Sequence, residues 1–302
     1  MARSLVDSGW ELSCEDADYP NNLRDLESPP SRIYGMGDPK ALSGKCLAVV
    51  GARRATPYGL AAAAMAGRIA AESGVTVVSG VAMGCDVAAT RSALDAGGRT
   101  IVVSGVGADQ VYPKSSRDVY ERAVRQGGAV VSLMPWGAQP QVWAFPKRNV
   151  IIAALSSAIV VSEAGQRSGT SSTAMAGIDL GREVYAIPGS IFSPESRGSN
   201  NLIRDGATII SSEEDLETLV SREFGVLRLV REEVATPRNR ILSALVASPM
   251  RAADLADRMG DEPLEMLRKL SEYEVAGMVT RLPDGRYAPT KEMLLGQDRI
   301  EP

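Results

Sequence analysis

The strongest constraint on this chain is a series of short, largely apolar, β-rich runs at 47–50, 75–79, 100–103, 129–132, 158–161, 184–187 and 208–210. They do not alternate apolar with polar residues. A strand that is apolar on both faces must be covered on both, the condition of a parallel sheet between two helical layers. Helical stretches at 58–72, 85–95, 117–125 and 171–180 separate the runs. This order predicts an α/β fold with a Rossmann-like, doubly wound, mostly parallel sheet. Gly51, Gly80, Gly105 and Gly189 follow strand runs. They mark the carboxyl edge of the sheet, where such folds bind ligands.

Around this α/β unit at 44–222 the chain divides further. Residues 1–43 read as a short acidic lead-in, in which Pro29 and Pro30 stop any helix. Residues 213–231 read as a helix running into a charged linker, and the linker is placed at 223–237. Helices are expected at 240–247, 252–259 and 263–274. Short strands at 278–282 and 286–288 follow, flanking the turn signal Pro283-Asp284-Gly285. Three helices and a hairpin make a small winged-helix domain at 238–290, leaving a tail at 291–302. No apolar run reaches membrane-spanning length and the N-terminus lacks a signal-peptide core, so no membrane partner and a cytoplasmic location are expected.

Composition narrows the chemistry. The chain has no histidine, which removes the commonest general base and metal ligand. Cys14, Cys46 and Cys85 are odd in number and far apart, so neither a disulfide framework nor a zinc site is expected. No metal, cofactor or catalytic residue is assigned. The net charge of −4 argues against nucleic acid until its distribution is considered. Residues 44–210 carry 16 Lys/Arg against 11 Asp/Glu, whereas 1–43 carry 4 against 8 and 238–290 carry 8 against 8. The positive surplus lies in the α/β unit, where an anionic ligand can use it.

Four segments there carry candidate chemistry. Gly51-Ala52-Arg53-Arg54 lies between the first strand and the first helix, where small residues expose backbone N–H groups and Arg suits phosphate. It lacks the GxGxxG fingerprint of dinucleotide sites, and it reads equally as a tight turn with two solvated arginines. Ser79-Gly80 opens the same kind of loop on the neighbouring strand. Asp86, a few residues on, suits helix capping or chemistry. The third segment, 136–149, is expected to be a Pro-rich loop. It gathers Trp136, Trp143, Phe145, Lys147, Arg148 and Asn149 in a chain that is only 5% aromatic. Interleaved rings and cations suit unstacked bases and phosphates, although the rings also suit pinning a loop to the core. The fourth, Arg167-Ser168-Gly169-Thr170, leaves donors free at a helix start or simply caps it.

In this order the segments resemble the DNA-processing protein family, DprA or Smf. The matching pieces include Gly51-Ala52-Arg53, 79–86, Gly105-Val106-Gly107-Ala108-Asp109 with Tyr112-Pro113, Phe145-Pro146-Lys147-Arg148-Asn149, Gly169-Thr170, Ile187-Pro188-Gly189 and Gly198-Ser199-Asn200. The resemblance runs from about residue 19 to 215, and the C-terminal helices look like the winged helix that often follows in this family. It implies a single-stranded DNA-binding domain, a homodimer, and handover of the strand to the recombinase RecA in natural transformation. By residue match the loop at 51–53 would grip phosphates, and Phe145, Lys147 and Arg148 would line the strand's path. Ala52 replaces the usual Ser, Thr90 a frequent His, Leu133 a common Glu and Val150 a frequent Arg.

Two other readings compete. A nucleotide phosphoribohydrolase-like enzyme needs a carboxylate where this chain has Thr173. A ligand-sensing regulator that binds duplex DNA needs a basic winged helix, and this one is balanced in charge.

Overall fold

The computed structural model describes residues 9–166, 168–226 and 239–295. Among them, nine strands form one sheet: β1 (Gly9–Ser13), β2 (Arg32–Gly37), β3 (Cys46–Val50), β4 (Thr76–Ser79), β5 (Thr100–Ser104), β6 (Ala129–Ser132), β7 (Ala158–Val161), β8 (Glu183–Ala186) and β9 (Thr208–Ile209). Their order is β1-β2-β6-β5-β4-β3-β7-β8-β9. From β6 to β9 the neighbours are parallel; β1 and β2 add antiparallel at the β6 edge. The segment expected as a lead-in therefore supplies two strands, with the short helix α1 (Asn21–Arg24) between them.

Helices cover both faces. On one lie α2 (Pro57–Glu72), α3 (Cys85–Asp95), α4 (Arg117–Arg125) and α8 (Glu213–Phe224). On the other lie α5 (Ala144–Leu155), α6 (Gly169–Asp179) and α7 (Arg197–Arg204). β3 shows why its run is apolar throughout: Leu47 and Val49 join the core under α2 and α3, while Cys46, Ala48 and Val50 join the core under α5. The alanines of α2 let it approach α3 closely. A Cβ on Gly67 would strike the backbone of Ala89. Cys46 and Cys85 are buried, and burial pushes both thiols up to about 12.

The chain builds the sheet outward from β3 to β6 with its helices on one face. It then crosses the other face through α5 to β7, on the opposite side of β3. Crossovers of one hand put helices on opposite faces when the direction of winding reverses, so β3 and β7 form the topological switch point.

The C-terminal unit contains α9 (Arg240–Ala247), α10 (Ala252–Met259), α11 (Pro263–Val275), the hairpin β10 (Val279–Arg281) with β11 (Tyr287–Pro289), and the short α12 (Lys291–Leu294). It is a winged helix with its own core, in which Leu245, Leu255, Met266 and Leu270 are buried. The linker expected at 223–237 lies outside the described residues from 227 on, as do 296–302 of the tail. α8 itself runs to Phe224. Among the described residues no helix is long and apolar enough to cross a membrane.

Candidate nucleic-acid interface

A cavity of about 530 Å³ opens between the loops that leave β3 and β7. Gly51, Arg53, Arg54, Arg148, Gly169 and Thr173 are among the residues that line it. The structure thus joins parts of all four sequence segments at the switch point, the second through Ala82 and Asp86.

The 51–54 loop is held differently from the expected nest of free amides. The Gly51 N–H donates to Asp86 Oδ1 at 3.2 Å, and the Ala52 N–H donates to the Glu163 carbonyl at 2.8 Å. The start of α2 is closed as well. The Thr56 N–H and hydroxyl donate to Glu163 at 2.8 and 2.6 Å, and Thr56 Oγ1 caps Gly59 N–H at 3.1 Å. These donors have internal partners, and what the loop presents outward is the exposed side chains of Arg53 and Arg54.

Asp86 is neither a helix cap nor solvent-facing. Gly84 is the N-cap of α3, and no side chain caps it. Asp86 accepts from Gly51 N–H and, at 3.3 Å, from Ala82 N–H, so it ties the first and second loops together. The Arg148 guanidinium stands 4.0 Å away. Both residues are buried. Burial pushes the Asp86 carboxyl up and pulls Arg148 down, and each charge opposes the other's shift. Arg148 also lies over Gly80 so closely that a Cβ there would fall on the guanidinium. Close by, buried Val81 adopts φ +52°, a conformation that strains a β-branched residue.

The third segment is a loop only in its first part. α5 begins at Ala144, so Phe145, Lys147, Arg148 and Asn149 occupy its first turns. Pro146 is compatible because first-turn N–H groups need no intrahelical partner. The helix separates the roles of these side chains. Lys147 is exposed and Arg148 is buried. Phe145 is half-buried, with Tyr112 5.7 Å away and the guanidinium carbons of Arg53 and Arg148 at 5.8 and 6.0 Å from its ring centroid. Asn149 Nδ2 donates to Ser172 Oγ at 2.7 Å and to the Gly169 carbonyl at 3.2 Å, linking α5 to the start of α6. Trp136 is a pinning ring. Its Nε1–H donates to Glu11 at 2.7 Å, and Tyr34 meets it edge-on at 5.7 Å.

The remaining expected residues divide. Ser79 is buried, with its hydroxyl donated to the Val49 carbonyl at 2.8 Å, so it supports the sheet and does not face the cavity. Gly169 is exposed and Thr170 buried at the first turn of α6. Ser168 Oγ and Arg148 Nε are buried without a partner among the described residues. Arg167 lies outside them. Thr173 stands on the cavity wall, and the carboxylates lining it are those of Asp86 and Glu195. Among the described residues no group of three or more His, Cys, Asp or Glu could hold a metal ion. Sequence reasoning missed the bridging role of Asp86. Its partners Gly51 and Arg148 are remote in the chain, and only the sheet order brings them together.

Comparison with known proteins gives consistent results. The family model described as DNA recombination-mediator protein A matches residues 11–221, and that of the DprA winged helix domain matches 230–285. The chain is 34% identical over 279 residues to Protein Smf of Escherichia coli, covering 88% of this chain and 74% of that one. It is 36% identical over 205 residues to DNA processing protein DprA of Streptococcus pneumoniae, covering 68% and 72%. The X-ray structure of the Streptococcus pneumoniae protein superposes with a TM-score of 0.65 at 34% identity, over 73% of this chain and 76% of that one. DNA processing protein A of Helicobacter pylori, whose structure is described for its single-stranded DNA binding mode, superposes with a TM-score of 0.63 at 29% identity, over 70% and 97%.

Proposed function

Because the chain belongs to the DprA/Smf family of DNA-processing proteins, we propose that it binds single-stranded DNA along the carboxyl edge of its sheet. One observation carries this reading: Arg53, Phe145 and Arg148, from two remote segments, meet within about 6 Å at the carboxyl edge, beside the loops that follow β4 and β5. The exposed Arg53, Arg54 and Lys147 take phosphates, and Phe145 takes a base. The start of α6 at Ser168-Gly169-Thr170 supplies further donors. Asp86 and Arg148 hold the loops in place. The protein protects the strand and passes it to RecA, and it works as a homodimer. Ile209, 47% exposed on the edge strand β9, and Met175 and Ile178, exposed on α6, are apolar groups suited to contact with a second copy. The winged helix contacts protein: α11 exposes Leu264, Leu267 and Val275, and its cations Arg268 and Lys269 are paired with Glu272 and Asp261.

The test is fluorescence anisotropy on single-stranded, duplex and RNA oligonucleotides across a salt series. Single-stranded DNA should bind best. Arg53→Ala should weaken binding and lower the salt slope by about 0.7, the share of one phosphate contact on a single strand. An unchanged slope would remove Arg53 from the phosphate path.

A further inference from the structure

A second cavity, of about 500 Å³, lies by the start of α5 and differs in character from the first. Leu26 and Pro30 before β2, Leu133 and Met134 after β6, and Trp143 and Val150 give it mostly apolar walls. Lys147 and Arg148 also line it, and no carboxylate does; a third cation there, Arg32, is paired with Glu11 at 2.9 Å. Trp143 is 54% exposed, and its neighbour Val142 is 88% exposed. A large ring left in water beside an apolar cavity marks a binding surface more than a packing one. Lys147 Nζ stands 5.0 Å from the centroid of that ring, so a cation is already placed beside the platform.

Helix geometry relates this cavity to Phe145. Residues two apart do not share a helix face, whereas residues four apart do. Trp143 at the N-cap of α5 therefore pairs with Lys147, while Phe145 points elsewhere, into a small cavity with Tyr112, Pro113 and Gly105. Arg148 lines both cavities. A flat apolar group joined to an anion fits the Trp143 cavity, and a nucleobase with its phosphate is such a group.

We propose that the Trp143 cavity is a second nucleobase site for the same single strand. The strand crosses the start of α5 over Lys147, with one base against Phe145 and another against Trp143. This rests on the single-stranded DNA reading above.

The test uses the full chain and the shortest dT oligonucleotide that binds at full affinity, so that the strand cannot shift register. Each nucleotide in turn is made abasic. Trp143→Ala should weaken binding of the intact oligonucleotide by about tenfold, with an unchanged Tm. Trp143→Leu, which keeps apolar bulk without a π-face, should behave alike. The loss should vanish when one particular base is missing, and Phe145→Ala should show the same non-additivity at a different base. If Trp143→Ala binds as the parent while Arg53→Ala and Phe145→Ala are weakened, the second base site is wrong and the single-stranded DNA reading stands. A loss from Trp143→Ala that persists on every abasic oligonucleotide also overturns the base site. If none of the three variants changes binding, the reading of the whole edge fails, and this inference with it.

Discussion

Phe145 sits half-buried over Gly105 with Tyr112 beside it, so substitutions there must separate stacking from packing. A base stacked on such a ring contributes roughly 1–3 kcal/mol with little preference among bases. Phe145→Ala should accordingly weaken single-strand binding by about ten- to hundredfold, alike for poly-dT and mixed sequences. Phe145→Leu should bind nearly as poorly as Ala while its Tm stays at the parent value. Near-normal binding by Leu, with a lowered Tm for Ala, would make Phe145 a core anchor. Arg148 shows how burial redirects a residue's role. Read as a phosphate ligand beside Lys147, it lies buried under the loops with its guanidinium 4.0 Å from Asp86, and its conformation depends on Gly80 having no side chain.

Among the elements, the junction of β7 with α2 has a titratable fastening. Glu163 is buried at the end of β7, and burial pushes its carboxyl up to about 7 against the hydrogen bonds from Thr56. The folded protein keeps this proton up to about pH 7, while the unfolded chain releases it near 4.5, the ordinary value of a glutamate carboxyl. The contribution to stability is therefore full below pH 4.5 and is lost as pH rises through about 7. The change is on the order of 3 kcal/mol at most. Glu163→Gln mimics the protonated acid, accepting from Thr56 N–H and donating to its hydroxyl. Urea unfolding from pH 5 to 8 should show the parent losing stability relative to this variant as pH rises. Parallel curves would mean that Glu163 does not titrate in this range.

For the whole molecule, separate cores predict separable functions. The α/β unit closes its core with Leu216, Leu219, Val220 and Phe224 of α8, and the winged helix has a core of its own. The linker boundary suggested by the sequence would cut α8 before Phe224, so the useful truncation ends after Val226. That fragment should unfold cooperatively and bind a dT oligonucleotide within about threefold of the full chain, because the exposed cations and rings of the site precede the cut. A folded fragment without binding, alongside an isolated winged helix that binds, would place the site in the wrong domain.

The doubly wound fold was legible because apolar strands covered on both faces admit few arrangements, and the winged helix because its three helices and turn are local signals. The boundaries of α3, α4, β6 and β7 follow directly from their runs. The start of α5 was not legible: its aromatics and two nearby prolines read as a loop, while its first turn tolerates Pro146. Nor was the joining of β1 and β2 to the sheet, since short antiparallel edge strands leave little trace in hydrophobic pattern. The sequence by itself determined which residue types gather at the carboxyl edge. Only the tertiary structure decided which amides stay free, which arginine is buried and which tryptophan faces water. Those properties depend on partners such as Asp86, Glu163 and Glu11, brought close by strand order and remote in the chain.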